Sequence, residues 1–523
     1  MGLTGDGVRR VVHLLFRDFS KGLVTATIPM CDIHVVLMLY LCGCCAFIWQ
    51  CPVVEKNHMT QLIENVDVVV IGGGVVGCAM FRRFTLMGAR VLLLEKGGDI
   101  LSGASKANSA ILHTGFDAPT GSLELQCMQA GYREYMDIHH KMNLPLLKST
   151  AIVVAWNEEQ LAALPGIVKQ AHDNGVLDVV QIDAEEVYTR EPNLAKGALG
   201  GVYVPGEYVI DPWSSPLAYV TQAVQHGGKY RFNCGVTKAT RNEDVWELDT
   251  SEGMVHARLV INCAGNHGDV IDGLWRQPDY EIRPRKGQFL VYDKAAATQI
   301  NAIILPVPTP TTKGVLLCRT IFGNMILGPT AEEQQDREHA EVNEEVLKGL
   351  IEKGSLMLPS LTNYSVTATY AGLRPATEKK EYRIYDYPDD RWISVGGIRS
   401  TGLTAALGIA AHVEQLYREN FSKLFELSPP AELTWPKMPM LSDYESRDFS
   451  CKGNGGVVCH CELVTRRELE AVFDSAVPPE CIGGLRRRTR VMMGRCNGFF
   501  CSNNVAEIVG TRLDNTLVVG KVE

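Results

Sequence analysis

Residues 66–95, VDVVVIGGGVVGCAMFRRFTLMGARVLLLE, contain the most informative structural pattern in this sequence. It opens with a continuous apolar run, which is typical of a parallel strand buried on both faces. The motif Gly72-x-Gly74-x-x-Gly77 follows, then helix-forming sequence and a second apolar strand that ends at Glu95. The three glycines permit a sharp turn, close approach of backbone to a pyrophosphate, and close packing of helix against strand.

Two further features of this stretch favour a dinucleotide. The helix that begins after Gly74 would offer free N–H groups and the positive end of its dipole to phosphate. Glu95 stands 21 positions after Gly74, where its carboxylate can accept hydrogen bonds from a ribose. The sequence therefore predicts a dinucleotide-binding unit. The alternative is a glycine-rich turn in an unrelated α/β domain.

The composition sets broad limits on the kind of protein. A chain of 523 residues has room for two or three domains, and 46% hydrophobic with 21% charged residues is ordinary for a globular protein. The net charge of −9 argues against nucleic acid as the main partner. The 16 cysteines are unevenly placed, with five before residue 52 and six after residue 450, which indicates local chemistry rather than the disulfide framework of a secreted protein.

Residues 1–64 do not belong to the nucleotide fold. Apolar side chains at helical spacing in residues 8–19, with arginines mostly opposite, resemble a mitochondrial targeting helix, although Asp6 and Asp18 weaken the match. Residues 35–49 carry no charge and approach the ~20 residues that span a bilayer. Targeting sequence, membrane anchor and non-native extension before a true start at Met59 all remain open. The chain is accordingly expected to be mitochondrial or membrane-associated, or cytoplasmic if it starts at Met59.

A second glycine-rich signature lies far along the chain. YAGLRPAT, residues 370–377, precedes a predicted strand at 392–395 and then GGIRSTGLTAA, residues 396–406. Glycines followed by a small-residue helix again place helix N–H groups beside a cofactor, although such a loop can also be a plain strand–helix connection. Between the two signatures, residues 258–263 predict a strand of the nucleotide sheet, and residues 215–224 predict a helix.

The C-terminal region carries a different chemistry. Prolines mark a linker after residue 426, and Cys459-His-Cys461 is followed by Cys496 and Cys501. Four thiolates in two close pairs can hold a metal centre. A C-x-C pair is unusual for structural zinc, so a [2Fe–2S] cluster is favoured over zinc, disulfides or free thiols. Thr465 and Glu468 have the spacing of a capping box that opens a helix.

These motifs together resemble a known family. Residues 66–420, through NSAILHTGFDAPTGSL, IRPRKGQFLVYD, LGPTAEE, AGLRPAT and GGIRSTGLTAA, resemble the FAD-dependent oxidoreductases of the D-amino-acid oxidase and glycerol-3-phosphate dehydrogenase family, above all the catalytic subunit of anaerobic glycerol-3-phosphate dehydrogenases. CHCE and RRRTRVMMGRCNGFFC are similar to the bacterioferritin-associated-ferredoxin-like [2Fe–2S] domain. The resemblance is specific for flavin and cluster, and loose for substrate.

The resemblance implies an α/β fold. A Rossmann-like FAD-binding domain of the glutathione-reductase type (65–146, 211–276 and 367–425) would be interrupted by an antiparallel-sheet substrate domain (147–210 and 277–366). A linker (426–456) would lead to a small helical [2Fe–2S] domain (457–515). The extension before residue 65 would stand outside these domains.

The resemblance also implies roles for single residues. His113 is expected beside the flavin as base or ring-positioning group, or else as a buried histidine bonded to a carbonyl. Arg374 is expected to clamp a substrate carboxylate or phosphate, because its planar fork matches either anion. Arg399 and Lys286 are weaker candidates for the same task, and His267 is expected to be structural. The residues expected to bind FAD are Gly72, Gly74, Gly77, Glu95, Ser109, Gly265, Gly397, Gly402, Leu403 and Thr404.

The activity implied is oxidation of a small anionic hydroxyl substrate, similar to glycerol 3-phosphate, by hydride transfer to FAD. Electrons would leave through a [2Fe–2S] cluster held by Cys459, Cys461, Cys496 and Cys501 to an acceptor protein or quinone-linked subunit. The alternatives are a 2-hydroxy-acid dehydrogenase such as one for L-2-hydroxyglutarate, a non-catalytic electron-relay subunit, and an oxidase. A cluster of arginines (Arg486, Arg487, Arg488, Arg490 and Arg495) is expected to be a solvated face or a docking surface for an acidic carrier.

Overall fold

The computed structural model describes residues 24–30, 33–42, 45–49, 64–309 and 314–513. The chain divides into two units, Met1–Leu62 and Ile63–Glu523. Five sheets and twelve α-helices lie in the described residues, with a few single turns of 3-10 helix between them.

The strands, in chain order, are β1 (Val24–Met30), β2 (Ile33–Cys42), β3 (Cys45–Trp49), β4 (Glu64–Ile71), β5 (Val91–Leu94), β6 (Ile111–Leu112), β7 (Leu146–Leu147), β8 (Ala151–Ala155), β9 (Val180–Asp183), β10 (Gly200–Val204), β11 (Tyr208–Ile210), β12 (Lys229–Arg231), β13 (Val236–Asn242), β14 (Val245–Thr250), β15 (Gly253–Asn262), β16 (Ile282–Tyr292), β17 (Ile303–Pro306), β18 (Leu316–Arg319), β19 (Met325–Gly328), β20 (Glu332–Glu333), β21 (Val366–Thr377), β22 (Arg383–Tyr387), β23 (Trp392–Gly396), β24 (Val457–Cys459) and β25 (Val464–Thr465).

The helices are α1 (Val75–Leu86), α2 (Leu123–Ile138), α3 (Glu158–Asp173), α4 (Ala184–Arg190), α5 (Ser214–Gln225), α6 (Gly268–Asp272), α7 (Lys294–Ala297), α8 (Glu344–Met357), α9 (Gly402–Asn420), α10 (Arg466–Ala471), α11 (Ile482–Thr489) and α12 (Ser502–Val509).

The N-terminal unit contains a three-stranded antiparallel sheet of β1, β2 and β3. The uncharged residues 35–49 lie largely in β2 and β3 rather than in a helix. No helix in the described part of the chain is long and apolar enough to cross a bilayer. The predicted helix at residues 8–19 lies outside the described residues. Targeting or membrane association through this segment stays a prediction.

The predicted nucleotide sheet is confirmed in its parallel centre. β12, β5, β4 and β15 lie side by side in parallel, and β23 adds to the far edge of β15 in the same direction. The strands predicted at residues 258–263 and 392–395 are therefore β15 and β23. Helices α1, α5 and α9 pack together over this sheet, with α2 against α9. The carboxyl ends of β4, β5 and β15 meet at one edge, where ligands bind in open α/β sheets.

The larger sheet is formed by the interrupting segments. Its order is β20-β16-β19-β18-β17-β8-β10-β9, with β21 paired to β16. The sheet was predicted to be antiparallel, but β17 runs parallel to β8. A second difference concerns β21, which was assigned to the cofactor domain from residue 367. It pairs with β16 from Ile282 opposite Thr377 to Tyr292 opposite Val366, so its backbone groups are satisfied in the larger sheet.

The C-terminal module, residues 457–513, contains the short hairpin of β24 and β25 and the helices α10, α11 and α12 around its own apolar cluster. The predicted capping box is confirmed. The Thr465 side chain accepts from the Glu468 N–H, and the Glu468 carboxylate accepts from the Thr465 N–H at 2.8 Å. The preceding linker packs on the fold, since the Met438 N–H donates to the Met142 carbonyl.

Candidate active site

The turn between β4 and α1 needs glycine at its first and third motif positions. Gly72 has φ +105°, and a Cβ there would lie 2.5 Å from the Cys263 carbonyl oxygen. A Cβ on Gly77 would lie 1.8 Å from the Gly72 carbonyl oxygen. These approaches bring β4, α1 and the end of β15 together, which is the close helix–strand packing that the motif predicts.

Gly74 differs from Gly72 and Gly77, because no main-chain atom lies close to the position that its Cβ would take. It is the N-cap of α1, and a Cβ there would meet only the Ser105 hydroxyl oxygen, at 3.2 Å. The Val75 N–H donates to the same hydroxyl at 3.0 Å. The N-terminus of α1, where Ser105 is the neighbouring side chain, fits a pyrophosphate. The phosphate oxygens would accept hydrogen bonds from the N–H groups of the first helical turn.

Glu95 lies at the end of β5, where the ribose was expected. Its carboxylate accepts from the Gly73 N–H and the Gly97 N–H, both at 2.7 Å. Burial raises the pKa of Glu95, while these two N–H groups act in the opposite direction. Each carboxylate oxygen retains a further lone pair for a hydroxyl donor. The residues of this turn therefore fit the adenosine half of FAD.

Residues 102–110 form the loop that carries Ser109, one of the residues expected to bind FAD. The Asn108 side chain braces this loop, donating to the Ser105 carbonyl at 3.1 Å and accepting from the Ala110 N–H at 2.8 Å. Tyr370 of β21 donates to the Asn108 carbonyl at 2.9 Å. Ser109 is half-buried in the same loop. The loop thus joins the cofactor sheet to the larger sheet.

His113 and the second glycine signature come together. The His113 N–H donates to the Thr404 hydroxyl at 3.0 Å, and Thr404 lies in the first turn of α9 after Gly402 and the half-buried Leu403. Gly397, with φ +68°, turns the chain between β23 and α9. Gly265, with φ +57°, turns it at the end of β15. Apart from Ser109 in the 102–110 loop, the residues predicted to bind FAD lie at strand ends and helix N-termini around the cofactor sheet.

The histidine has a partner that the sequence analysis missed. Its Nδ1 lies 2.7 Å from Glu207 Oε2, so the alternative of a histidine bonded to a carbonyl is wrong at this nitrogen. Glu207 also accepts from the Thr114 N–H at 2.6 Å and the Thr114 hydroxyl at 2.9 Å. The available signal in the sequence was Glu207 itself, a single acidic residue between the apolar residues Val204 and Val209. A carboxylate buried there requires hydrogen-bond donors from elsewhere in the fold.

Arg374 is a half-buried cation with two further arginines, Arg285 and Arg399, close enough to act on its pKa. It faces Arg285 across the β16–β21 ladder, and Gly287 leaves the space for its guanidinium. The guanidinium donates only weakly, to the Arg285 carbonyl at 3.4 Å and the Thr330 carbonyl at 3.3 Å. Burial, with Arg285 and Arg399 nearby, lowers the pKa of Arg374 to about 10. Such a site favours an anion as its missing partner.

The structure distinguishes Arg399 from Lys286, the two weaker candidates for binding the substrate anion. Arg399 is half-buried and close enough to Arg374 to act on its pKa. Lys286 lies on the opposite face of β16 from Arg285, because side chains alternate along a strand, and pairs with Glu332 at 3.5 Å. Arg399 therefore remains a candidate for the anion site, and Lys286 is engaged elsewhere. His267 contacts Lys96 at 3.3 Å and Glu338 at 3.3 Å, and burial lowers its pKa.

The four predicted cysteines meet in the C-terminal module as two pairs of free thiols. The Cys459 thiol is in hydrogen-bonding contact with that of Cys501, and the Cys461 thiol with that of Cys496. Main-chain N–H groups, first that of Phe500, lower the pKa of Cys496. Burial raises the pKa of Cys461 and raises that of Cys501 to about 12. As placed, no group of three or more His, Cys, Asp or Glu in the described residues could hold a metal ion.

The arginine cluster is only in part the solvated or docking surface that was predicted, since Arg495 is exposed but Arg488 and Arg490 are buried. Arg488 forms a buried ion pair with Asp99, at 2.9 Å between Nη2 and Oδ1, and Arg490 pairs with buried Glu462 at 2.9 Å. Arg487 donates to the Ile100 carbonyl at 2.9 Å. Arg487 and Arg488 therefore dock the C-terminal module on the chain that follows Glu95, and no local pattern indicated these distant acceptors. The acceptor of Arg490, Glu462, belongs to the module itself.

The docking predicts a measurable loss of stability. Arg488→Met would leave Asp99 buried without its cation, which commonly costs about 3–5 kcal/mol. We expect a lower melting temperature and faster proteolysis of the C-terminal module. Arg466→Met is the matched control, because its pair with Glu470 is exposed and worth about 0–1 kcal/mol. Equal melting curves for the two variants would contradict the assigned docking contact.

Comparisons with known proteins show the family of this chain. Residues 67–416 match the family described as FAD dependent oxidoreductase, and the chain belongs to that family. It is 29% identical over 453 residues to glycerol 3-phosphate dehydrogenase of Caloramator mitchellensis, covering 86% of this chain and 94% of that protein. It is 28% identical to glycerol 3-phosphate oxidase of Mycoplasma pneumoniae, covering 71% of this chain and all of that protein.

A solved structure extends the comparison to three dimensions. The dithionite-reduced L-alpha-glycerophosphate oxidase from Mycoplasma pneumoniae with FAD bound superposes with a TM-score of 0.67 at 25% identity, covering 72% of this chain and all of that one. The mixed α/β fold is thus an FAD-binding fold. The chain is an FAD-dependent oxidoreductase similar to glycerol 3-phosphate dehydrogenases and oxidases.

Proposed function

We propose that this protein is a dehydrogenase that oxidises a small hydroxylated phosphate, similar to glycerol 3-phosphate, with bound FAD as hydride acceptor. The observation that carries the proposal is the half-buried Arg374 guanidinium with Arg285 and Arg399 nearby. A phosphate would add a negative charge beside this guanidinium, and a bidentate pair would orient the substrate. The similarity to glycerol 3-phosphate enzymes over nearly all of their own length supports phosphate over carboxylate.

The chain's own residues then have separate tasks. Arg374 binds and orients the anion, and His113 accepts the hydroxyl proton of the substrate. Thr404 holds the main chain of His113 at 3.0 Å, and Tyr370 ties the loop at Asn108 to the strand that carries Arg374. FAD, when bound, supplies the hydride acceptor.

Anaerobic bleaching of the flavin is the direct test. Purified protein is mixed with glycerol 3-phosphate, L-2-hydroxyglutarate and a panel of other 2-hydroxy acids, and flavin absorbance is followed. Fast bleaching by glycerol 3-phosphate alone supports the proposal. Bleaching by a 2-hydroxy acid instead identifies the alternative dehydrogenase, and no bleaching by any substrate favours the electron-relay subunit. Stoichiometric peroxide formation in air would identify an oxidase.

We further propose that Cys459, Cys461, Cys496 and Cys501 hold a [2Fe–2S] cluster as the exit for electrons. A two-iron cluster takes four thiolates, so two neighbouring thiol pairs support it better than they support a single ion. The dehydrogenase of Caloramator mitchellensis also aligns over more of this chain than the oxidase does. The proposed acceptor is a protein or quinone-linked subunit. Phe499 and Phe500, 81% and 78% exposed beside Cys501, support a contact there.

Removal of one thiol tests the cluster. Cys496→Ser should abolish the rhombic electron paramagnetic resonance signal of the dithionite-reduced protein and the iron content, about two per chain. Substrate should still bleach the flavin of this variant, because Cys496 lies outside the flavin domain. Cys451→Ser, an exposed cysteine of the same region, is the control and should keep its iron. One zinc and no iron in protein purified without air would overturn the proposed cluster.

A further inference from the structure

Glu207 is a buried carboxylate that bonds to His113, the predicted base, and to the next residue, Thr114. Its side chain is 1% exposed, and it accepts from His113 Nδ1 at 2.7 Å and from the Thr114 N–H and hydroxyl. His113 is 25% exposed, so the pair spans from the interior toward the site.

The fold builds this pair from two distant strands. β11 pairs with β6, with Tyr208 opposite Leu112, so Glu207 and His113 are the next residues beyond that ladder. Gly206 permits the approach, because a Cβ there would lie 2.7 Å from Thr114 Cγ2. The carboxylate is therefore placed by backbone pairing rather than by a mobile loop.

We propose that Glu207 is the positioning residue for His113, which rests on the proposed function. A carboxylate only accepts hydrogen bonds, so the bonded Nδ1 carries the proton and Nε2 is left as the acceptor. In the oxidation, the substrate carbon gives its hydrogen with the bonding electron pair to the flavin, and the hydroxyl proton passes to Nε2. The products are a carbonyl compound, reduced flavin and an imidazolium ion, whose charge the Glu207 carboxylate stabilises.

The other polar groups near the Glu207 carboxylate make different contacts. Tyr132 and Tyr208 are its titratable neighbours, and burial raises the pKa of Tyr132 further above its usual range. The Tyr132 hydroxyl donates to the Gly206 carbonyl at 2.9 Å. The Thr404 hydroxyl contacts the main chain of His113, not its ring.

The first test measures the histidine itself and needs no substrate. Hydrogen–deuterium exchange at the imidazole C2 of His113, followed by mass spectrometry across pH, reports the pKa of that ring. Loss of a neighbouring negative charge disfavours the imidazolium, so Glu207→Gln should lower the pKa of His113 by about one unit or more. An unchanged pKa in folded, flavin-loaded Glu207→Gln protein would overturn the proposal.

The second test uses the rate of flavin reduction by glycerol 3-phosphate. Glu207→Gln should slow it by about 100-fold or more, because the base loses its orientation. Neutral His113 is the active form, so the limb of the rate that rises with pH should move to lower pH in the variant. The same change in a His113→Ala background should cost little more, because Glu207 acts through His113. A full additional loss in that background would overturn the proposal.

Glu191→Gln is the matched control, since Glu191 is also a fully buried glutamate. Its carboxylate accepts from the Asn301 N–H at 2.9 Å and from the Ala302 N–H in the larger sheet. It should leave the His113 pKa and the pH profile unchanged. If Glu207→Gln fails to fold, Glu207→Asp, which keeps the charge but shortens the reach, must show an intermediate change in pKa and rate. Wild-type protein that glycerol 3-phosphate does not bleach would sink the proposed function alone, because the exchange test still decides the role of Glu207.

Discussion

Gly74→Val protein is expected to purify folded but without flavin. A Cβ at Gly74 meets only the Ser105 hydroxyl, at 3.2 Å, so the added side chain has room in the protein itself. It would occupy the space at the N-terminus of α1 into which a pyrophosphate must come. We expect near-complete loss of bound FAD, measured by the ratio of flavin to protein absorbance, with an unchanged circular dichroism spectrum.

Substitutions at two other glycines serve as comparisons for this variant. Gly349→Val adds the same side chain to open space in α8 and should keep its flavin. Gly77→Val should fail to fold instead, because its Cβ would lie 1.8 Å from the Gly72 carbonyl oxygen. Folded Gly74→Val protein with a full complement of FAD would mean that the pyrophosphate lies elsewhere.

Arg374→Ala is expected to raise the KM for glycerol 3-phosphate strongly. Loss of one partner of a desolvated charge pair commonly costs about 2–5 kcal/mol, which is a KM increase of about 30-fold or more. The KM of Arg374→Lys protein should lie between those of Arg374→Ala and wild-type protein, because a point charge replaces a planar fork. Steady-state kinetics with glycerol 3-phosphate and with glycerol measure the effect, and only the phosphorylated substrate should be affected.

Arg283→Ala is the control for this arginine. Arg283 is on the same strand, β16, but pairs with Glu281 at 2.8 Å at the surface. Its loss should leave both kinetic constants close to those of the wild type. An Arg374→Ala enzyme with an unchanged KM would move the anion site to Arg399, since Lys286 already pairs with Glu332.

The clearest correct predictions concern elements that are determined by residues close together in the chain. β4, the glycine turn, α1 and β5 lie within residues 64–94, so their hydrophobic pattern and the steric demands of Gly72 and Gly77 act over short distances. The capping box of Thr465 and Glu468 is local in the same sense, because its two residues are three positions apart. The roles of Arg374 and His113 came from the resemblance, and that of the four cysteines came first from their spacing. All of them stay predictions until the variants above are measured.

The sequence by itself therefore determined the dinucleotide-binding unit, the family and the residue types available for chemistry. Only the tertiary structure decided which buried charges meet. Glu207 lies 94 residues from His113, and Asp99 lies 389 residues from Arg488. The arginines of the C-terminal module looked like a surface because their acceptors are absent from the local sequence. A buried charge is tolerated only where long-range folding supplies its partner, and no local pattern of residues records that partner.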